Sequence, residues 1–168
     1  YDAMHGTGRG VVPRLLSSAG VAVDARRCTR DPTFRGHRPS PTAANLDPLI
    51  EAVDATGADV GIATDGDADR IGVVTPERGR VPDHLLCAAL TSYLLGERPG
   101  PIVRDVATTA LVDRIATDHD AQVGETERGM AWIAAAMREH QARLGGGAHG
   151  RFALGGHVRM GDGVAMAL

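Results

Sequence analysis

Short apolar runs, bounded by glycine and proline, alternate along this chain with stretches whose apolar residues recur every three or four positions. Tyr1-Asp2-Ala3-Met4 reads as the end of a strand, followed by the glycine-rich turn His5–Gly10. Val11, Val12, Leu15, Leu16 and Ala19 then fall on one helical face, and Gly20 supplies the stop. Val21-Ala22-Val23 reads as a short strand leading into a loop rich in Pro and Arg between Asp31 and Pro41. Asp47 has the chemistry of an N-cap and Pro48 suits a first helical position, so the pattern predicts a helix from there to Gly57. Its inward residues would be Leu49, Ile50 and Val53. Strands are predicted at Ala58–Ala63 and Ile71–Val74, with a turn over Pro76–Arg80.

The alternation continues beyond residue 81. A helix from about Asp83 to Leu95 precedes Pro99-Gly100-Pro101 and a strand at Ile102-Val103. Thr108 or Thr109 can cap a helix bearing Leu111, Val112 and Ile115. Gln122-Val123 reads as a brief strand, and Met130–Met137 as a helix with Trp132 and Ile133 on its apolar side. Gly145-Gly146-Gly147 reads as a flexible loop, Phe152–Leu154 as a strand, and Asp162-Gly163 as the start of a helix that the chain end cuts short. The pattern predicts an α/β protein, built as two consecutive α/β/α sandwich domains with mixed, mainly parallel sheets. The division falls at 1–80 and 81–168.

Composition narrows the picture. Apolar residues make up 43% of the chain but aromatics only 3%, so the cores must be aliphatic. A net charge of −3 leaves no footprint for nucleic acid or a membrane surface. All 18 basic residues are arginine, which excludes lysine chemistry within the chain. Cys28 and Cys87 lie outside any C-x-x-C spacing and read as reduced thiols, in keeping with a cytoplasmic setting. Neither a signal peptide nor an apolar run of transmembrane length is present. The opening on Tyr1-Asp2, without an initiator Met and directly in a motif, reads as part of something longer.

The densest chemistry lies in Ala63-Thr64-Asp65-Gly66-Asp67-Ala68-Asp69-Arg70, at the end of a predicted strand. Ligand sites of open α/β sheets favour strand carboxyl ends. Oxygen-only ligands at this density suit a hard divalent cation, Mg²⁺ above all, which commonly shares its sphere with phosphate oxygens. An EF-hand would need Gly and Glu where this chain has Arg70 and Pro76, so that reading fails. A phosphatase of the haloacid dehalogenase type also places D-x-D after a strand, with Asp65 as nucleophile.

The stretch Asp65-Gly66-Asp67-Ala68-Asp69-Arg70 resembles the D-G-D-[GA]-D-R metal loop of the α-D-phosphohexomutases (phosphoglucomutase and phosphomannomutase) at every position. Asp2-Ala3-Met4-His5-Gly6-Thr7-Gly8 is similar to the D-x-M-x-G-x-G opening of that family's second domain. Pro39-Ser40-Pro41 with Asn45-Leu46 is similar to its P-x-P-x-x-x-N-L segment. Thr126, Gly129 and Ile133 match the third domain's T-x-x-G-F-K-x-I, and Asp162-Gly163-Val164 its D-G-[IV]. The resemblance covers almost the whole chain, as a second domain lacking part of its first strand and a third lacking part of its last helix.

The resemblance implies a parent that interconverts hexose 1-phosphate and hexose 6-phosphate through a phosphoserine and a bisphosphate intermediate. It makes Asp65, Asp67 and Asp69 the Mg²⁺ ligands and Arg70 the holder of a transferring phosphate. The serine loop of domain one and the phosphate-binding segment of domain four occur nowhere in the chain. Domains one and four would be its partners, a hexose phosphate its substrate, and the chain alone would be inactive. Ala131 stands where the family carries a lysine. Gly146-Gly147-Ala148-His149-Gly150 stands in place of the sugar-recognising G-E-x-S-G, leaving His149 as the candidate substrate contact. Arg128 and Arg151 are near enough in sequence to supply positive charge. A non-catalytic metal-binding or structural module of the same fold is the second reading, and the phosphatase the third.

Overall fold

In the computed structural model, which describes residues 1–168, the chain divides into two compact units. One comprises Tyr1–Val81 with Gly163–Leu168, the other Pro82–Asp162. Mixed α/β structure runs through both.

The first unit is built on an antiparallel sheet of β1 (Gly61–Thr64), β2 (Ile71–Thr75) and β3 (Gly79–Val81), in that order. The N-terminal segment extends it on the β1 side through parallel bridges from Asp2 to Ala63 and to Arg26. Asp2 donates its N–H to Ile62 O at 2.8 Å, and its carbonyl accepts from Thr64 N–H at 3.1 Å. The strand expected at Val21–Val23 does not form, and the bridge at Arg26 is the nearest pairing. Helix α2 (Ala43–Thr56) packs on all three strands, and Met4, Leu46, Leu49, Val53, Ala63 and Val74 make the core beneath it.

Helix α2 begins at Ala43, four residues before the expected cap, so Pro48 lies inside it. Only one intrahelical N–H is lost there, and burial of Leu46 with Leu49 on the sheet outweighs it. Gly57 ends the helix in the left-handed region, at φ 66°. Helix α1 (Val12–Ser18) buries only Val12; Val11 and Leu15 of the expected apolar face are exposed.

The second unit carries a sheet in the order β5 (Val123–Thr126), β4 (Ile102–Asp105), β6 (Leu144–Gly146), β7 (Phe152–Leu154). β4 runs parallel to β5 and β6, while β7 closes the edge antiparallel to β6. Helix α3 (Asp83–Glu97) packs against α4 (Leu111–Asp118), and α5 (Met130–His140) lies on β4, β5 and β6. Successive residues of β6 show the three layers. Gly145 faces Met137 and Ile133 of α5, and Gly146 faces Cys87 of α3.

The glycine triplet is therefore not a flexible loop, since its first two members form the buried strand β6. A Cβ on Gly145 would lie 2.3 Å from Met137 Sδ, and one on Gly146 2.8 Å from Phe152 Cδ1. Glycine is there because helix and strand approach too closely for a side chain. Trp132, expected on the apolar side of α5, is instead 55% exposed, while Ile133 is buried.

Candidate metal centre

Residues Asp65 to Arg70 form the hairpin loop between β1 and β2, whose last paired residues are Thr64 and Ile71. The loop is held from several directions. Ala68 N–H donates to Asp65 O at 3.1 Å, Asp65 N–H to Arg70 O at 3.3 Å, and Gly66 N–H to Pro39 O at 3.0 Å. Thr7 N–H reaches Gly66 O at 2.9 Å from the glycine-rich turn, and Gly163 N–H reaches Ala68 O at 2.8 Å from the start of α6 (Gly163–Met166).

Two of these braces require glycine. A Cβ on Gly6 would lie 2.5 Å from Asp65 O, and one on Gly163 2.6 Å from Arg70 O. The sequence holds all of these residues, but their role as supports is a tertiary fact. In the sequence, Gly6 and Gly163 stand out only as members of the short motifs Asp2–Gly8 and Asp162–Val164.

The loop brings Asp65, Asp67 and Asp69 together. One carboxylate oxygen from each lies within 4.8 Å of the others, with Asp65 buried, Asp69 half-buried and Asp67 exposed. Three hard oxygen donors on a fixed loop, with one side open to water, fit a cation of the Mg²⁺ class, which keeps several of its waters.

Arg70 supplies the positive charge next to them. Its backbone N–H donates to Asp65 Oδ1 at 3.0 Å, and its Nε–H to Asp65 Oδ2 at 2.6 Å. The same Nε is 3.7 Å from Asp69 Oδ1, and the Arg70 side chain is one-third exposed. In this geometry Arg70 is an ion-pair partner of two of the loop's carboxylates.

The glycine-rich turn has its own tension. Met4 and His5 both adopt positive φ, at 48° and 62°. Such backbone costs free energy in a residue with a Cβ, so the surroundings must impose it. Asp2, buried and paired with Arg27 through Nε and Nη2 at 2.6 to 2.9 Å, accepts from Met4 N–H at 2.9 Å. His5 Nδ1 lies 2.9 Å from Thr29 O and therefore carries its proton there. Arg9 donates to Gly6 O at 2.6 Å. The turn is fixed by these contacts and presents its backbone to the acidic loop.

His149, Ala131 and Arg128 belong to the other unit. There Arg128 Nη2 and His149 Nε2 are hydrogen-bonded, and both side chains are exposed. Ala131, in the first turn of α5, is exposed as well. Asp105 ends β4 nearby. Its Oδ1 accepts from Ala107 N–H at 3.0 Å and from Thr108 Oγ1 at 2.9 Å. A Cβ on Gly147 would lie 2.7 Å from Asp105 Oδ2, so the loop after β6 carries a glycine where the aspartate crowds it. No helix of the protein is long and apolar enough to cross a membrane.

Residues 1–79 match the family model of phosphoglucomutase/phosphomannomutase alpha/beta/alpha domain II, and residues 82–168 match that of domain III. A phosphoglucomutase/phosphomannomutase of Thermococcus kodakarensis is 34% identical over 151 residues, which are 89% of this chain and 33% of that protein. A phosphoglucosamine mutase of Clavibacter michiganensis is 32% identical over 167 residues, 97% of this chain and 38% of that one. A solved structure of a phosphoglucomutase/phosphomannomutase family protein from Burkholderia thailandensis superposes with a TM-score of 0.90 at 27% identity. It covers 98% of this chain and 37% of its own. The chain thus spans about a third of the length of the curated relatives it matches.

Proposed function

The chain belongs to the phosphoglucomutase/phosphomannomutase family, of which it carries domains II and III, and on that premise we propose that it is the metal-holding part of a phosphohexomutase. The observation that carries the reading is the convergence of Asp65, Asp67 and Asp69 on one open point of a braced hairpin loop. Asp65, Asp67 and Asp69 are the Mg²⁺ ligands. Bound there, Mg²⁺ would neutralise phosphoryl charge and orient phosphate oxygens. Arg70, a planar donor beside the ligands, holds a phosphate oxygen edge bidentately.

The parent protein interconverts hexose 1-phosphate and hexose 6-phosphate through a phosphoserine supplied by a domain outside these 168 residues. Relatives are named for glucose, mannose and glucosamine phosphates alike. His149 and Arg128, hydrogen-bonded to each other where the family recognises the sugar, are the candidate substrate contacts in domain III. They would favour an acceptor-rich edge over a hydroxyl donor, because both present N–H groups.

Without a serine loop, the 168-residue chain by itself is expected to bind the metal and to give no turnover of glucose 1-phosphate. Calorimetric titration with Mg²⁺ tests the ligand set. Wild type should bind one ion, and Asp67→Asn should lose roughly tenfold or more in affinity, as expected when a ligand's negative charge is removed. Equal affinity in the two would remove Asp67 from the set.

A further inference from the structure

Arg70 stands in two relations at once. Its Nε donates to Asp65 Oδ2 at 2.6 Å and approaches Asp69 Oδ1 to 3.7 Å, so the guanidinium lies against two of the three proposed ligands. Asp65 is buried, and its two oxygens both accept from Arg70, one from the side chain and one from the backbone. Three carboxylates gathered within 4.8 Å repel one another, and a permanently charged guanidinium relieves that repulsion. A divalent cation entering among the same carboxylates does the same work more strongly. It also repels the guanidinium and competes for the lone pairs of Asp65.

We propose that Arg70 is an exchangeable counter-ion of the Asp65–Asp69 loop that couples divalent metal binding to phosphate binding. The proposal rests on the metal assignment above and adds a direction to it. Metal arrival loosens the Arg70 side chain from Asp65 and frees its N–H donors for a phosphate oxygen. Conversely, a phosphate that draws Arg70 outward lifts a competing charge from the ligands and raises metal affinity. By linkage the two effects are one coupling free energy, and each ligand strengthens the other by the same factor. The side chain is one-third exposed and the loop opens to solvent at Asp67, so the swing needs no rearrangement of the core.

A prop would behave differently from a counter-ion. If Arg70 merely holds Asp65 in place, its removal weakens metal binding. If it competes, removal of the charge strengthens metal binding. The backbone N–H of Arg70 still fixes Asp65 Oδ1 in any substitution, which keeps the ligand oriented.

Mg²⁺ calorimetry on wild type, Arg70→Gln, Arg70→Met and Arg70→Lys, each with and without inorganic phosphate, separates these cases. Near-UV circular dichroism checks the fold of each variant. Without phosphate, Arg70→Gln and Arg70→Met should bind Mg²⁺ about three- to fivefold more tightly than wild type, the range of a partly exposed ion pair. Arg70→Lys, which keeps the charge, should stay close to wild type. Phosphate should raise Mg²⁺ affinity more in wild type than in Arg70→Gln. Equal or weaker Mg²⁺ binding in both neutral variants, with wild type binding normally, overturns the coupling alone. A wild type that binds no Mg²⁺ overturns the metal assignment, and the coupling with it.

Discussion

Ala68 sits at φ 60° in the middle of the acidic loop, a conformation in which its Cβ is crowded by the backbone. Ala68→Gly should therefore raise the melting temperature, by a stabilisation of about 1 kcal/mol, without weakening metal binding. Differential scanning calorimetry reads the first effect. A fall in melting temperature would show that the loop depends on the alanine methyl, which is buried. The Asp2–Arg27 pair is the other sensitive point. Asp2 is 1% exposed, and it ties Arg27 to the N-terminal segment beside β1. Asp2→Asn leaves Arg27 without its counter-charge and should cost about 3 kcal/mol in urea unfolding.

At this scale the acidic loop was legible because its chemistry is local. Three carboxylates, a glycine and an arginine lie within six consecutive positions. The positive φ of Ala68 was not legible, since alanine gives no sign of it. Nor was the Arg128–His149 pair, whose members are separated by a helix and a strand.

At the scale of elements, the glycine triplet is the instructive case. Composition alone makes Gly145-Gly146-Gly147 a loop, and only the helix packed above it makes it a strand. Gly145→Ala should destabilise the second unit by about 1–3 kcal/mol, because the added methyl meets Met137 and Ile133 in a closed layer. Chemical unfolding measures it, and a neutral result would mean that α5 can shift. Pro48 misled in the other direction. A proline with an aspartate before it imitates a helix start, yet α2 already runs from Ala43, because the apolar spacing Leu46, Leu49, Val53 carries it through. The order of the helices could be read from periodicity, but β3 and β6 could not, since their residues read as a turn and a loop, and the strand expected at Val21–Val23 does not form. Boundaries and exposed faces, such as those of α1 and Trp132, could not be read either, since they depend on what lies opposite.

The Cys87 thiol couples α3 to pH. Burial, and then the nearby Asp105 carboxylate, push it up to about 12 from 9.0. Its folded-state value lies above the unfolded one, so its contribution is full below pH 9 and is lost as pH rises towards 12. Stability should fall across that window, and the slope should flatten in Cys87→Ala. Melting curves between pH 8 and about 10.5 read the slope rather than the absolute cost of the substitution.

On the scale of the molecule, the last six residues return to the first unit, where Gly163 N–H caps the acidic loop at Ala68 O. The sequence motif Asp162-Gly163-Val164 marks the start of a helix but says nothing of which sheet it will meet. Removing residues 163–168 should speed hydrogen exchange of the Ala68–Arg70 amides and weaken Mg²⁺ binding, leaving exchange in β4 and β6 unchanged. Equal loss of protection in both sheets would contradict that assignment. The α/β class was readable from the alternation of strand and helix patterns, and the family from short local motifs such as Asp65–Arg70. The central claim is that Asp65, Asp67 and Asp69 hold one divalent cation. Anomalous scattering from Mn²⁺ in a crystal of the 168-residue protein tests it most directly. A single peak bonded to one carboxylate oxygen of each aspartate is the predicted result. No peak at the loop, or one that omits Asp67 and Asp69, would contradict it.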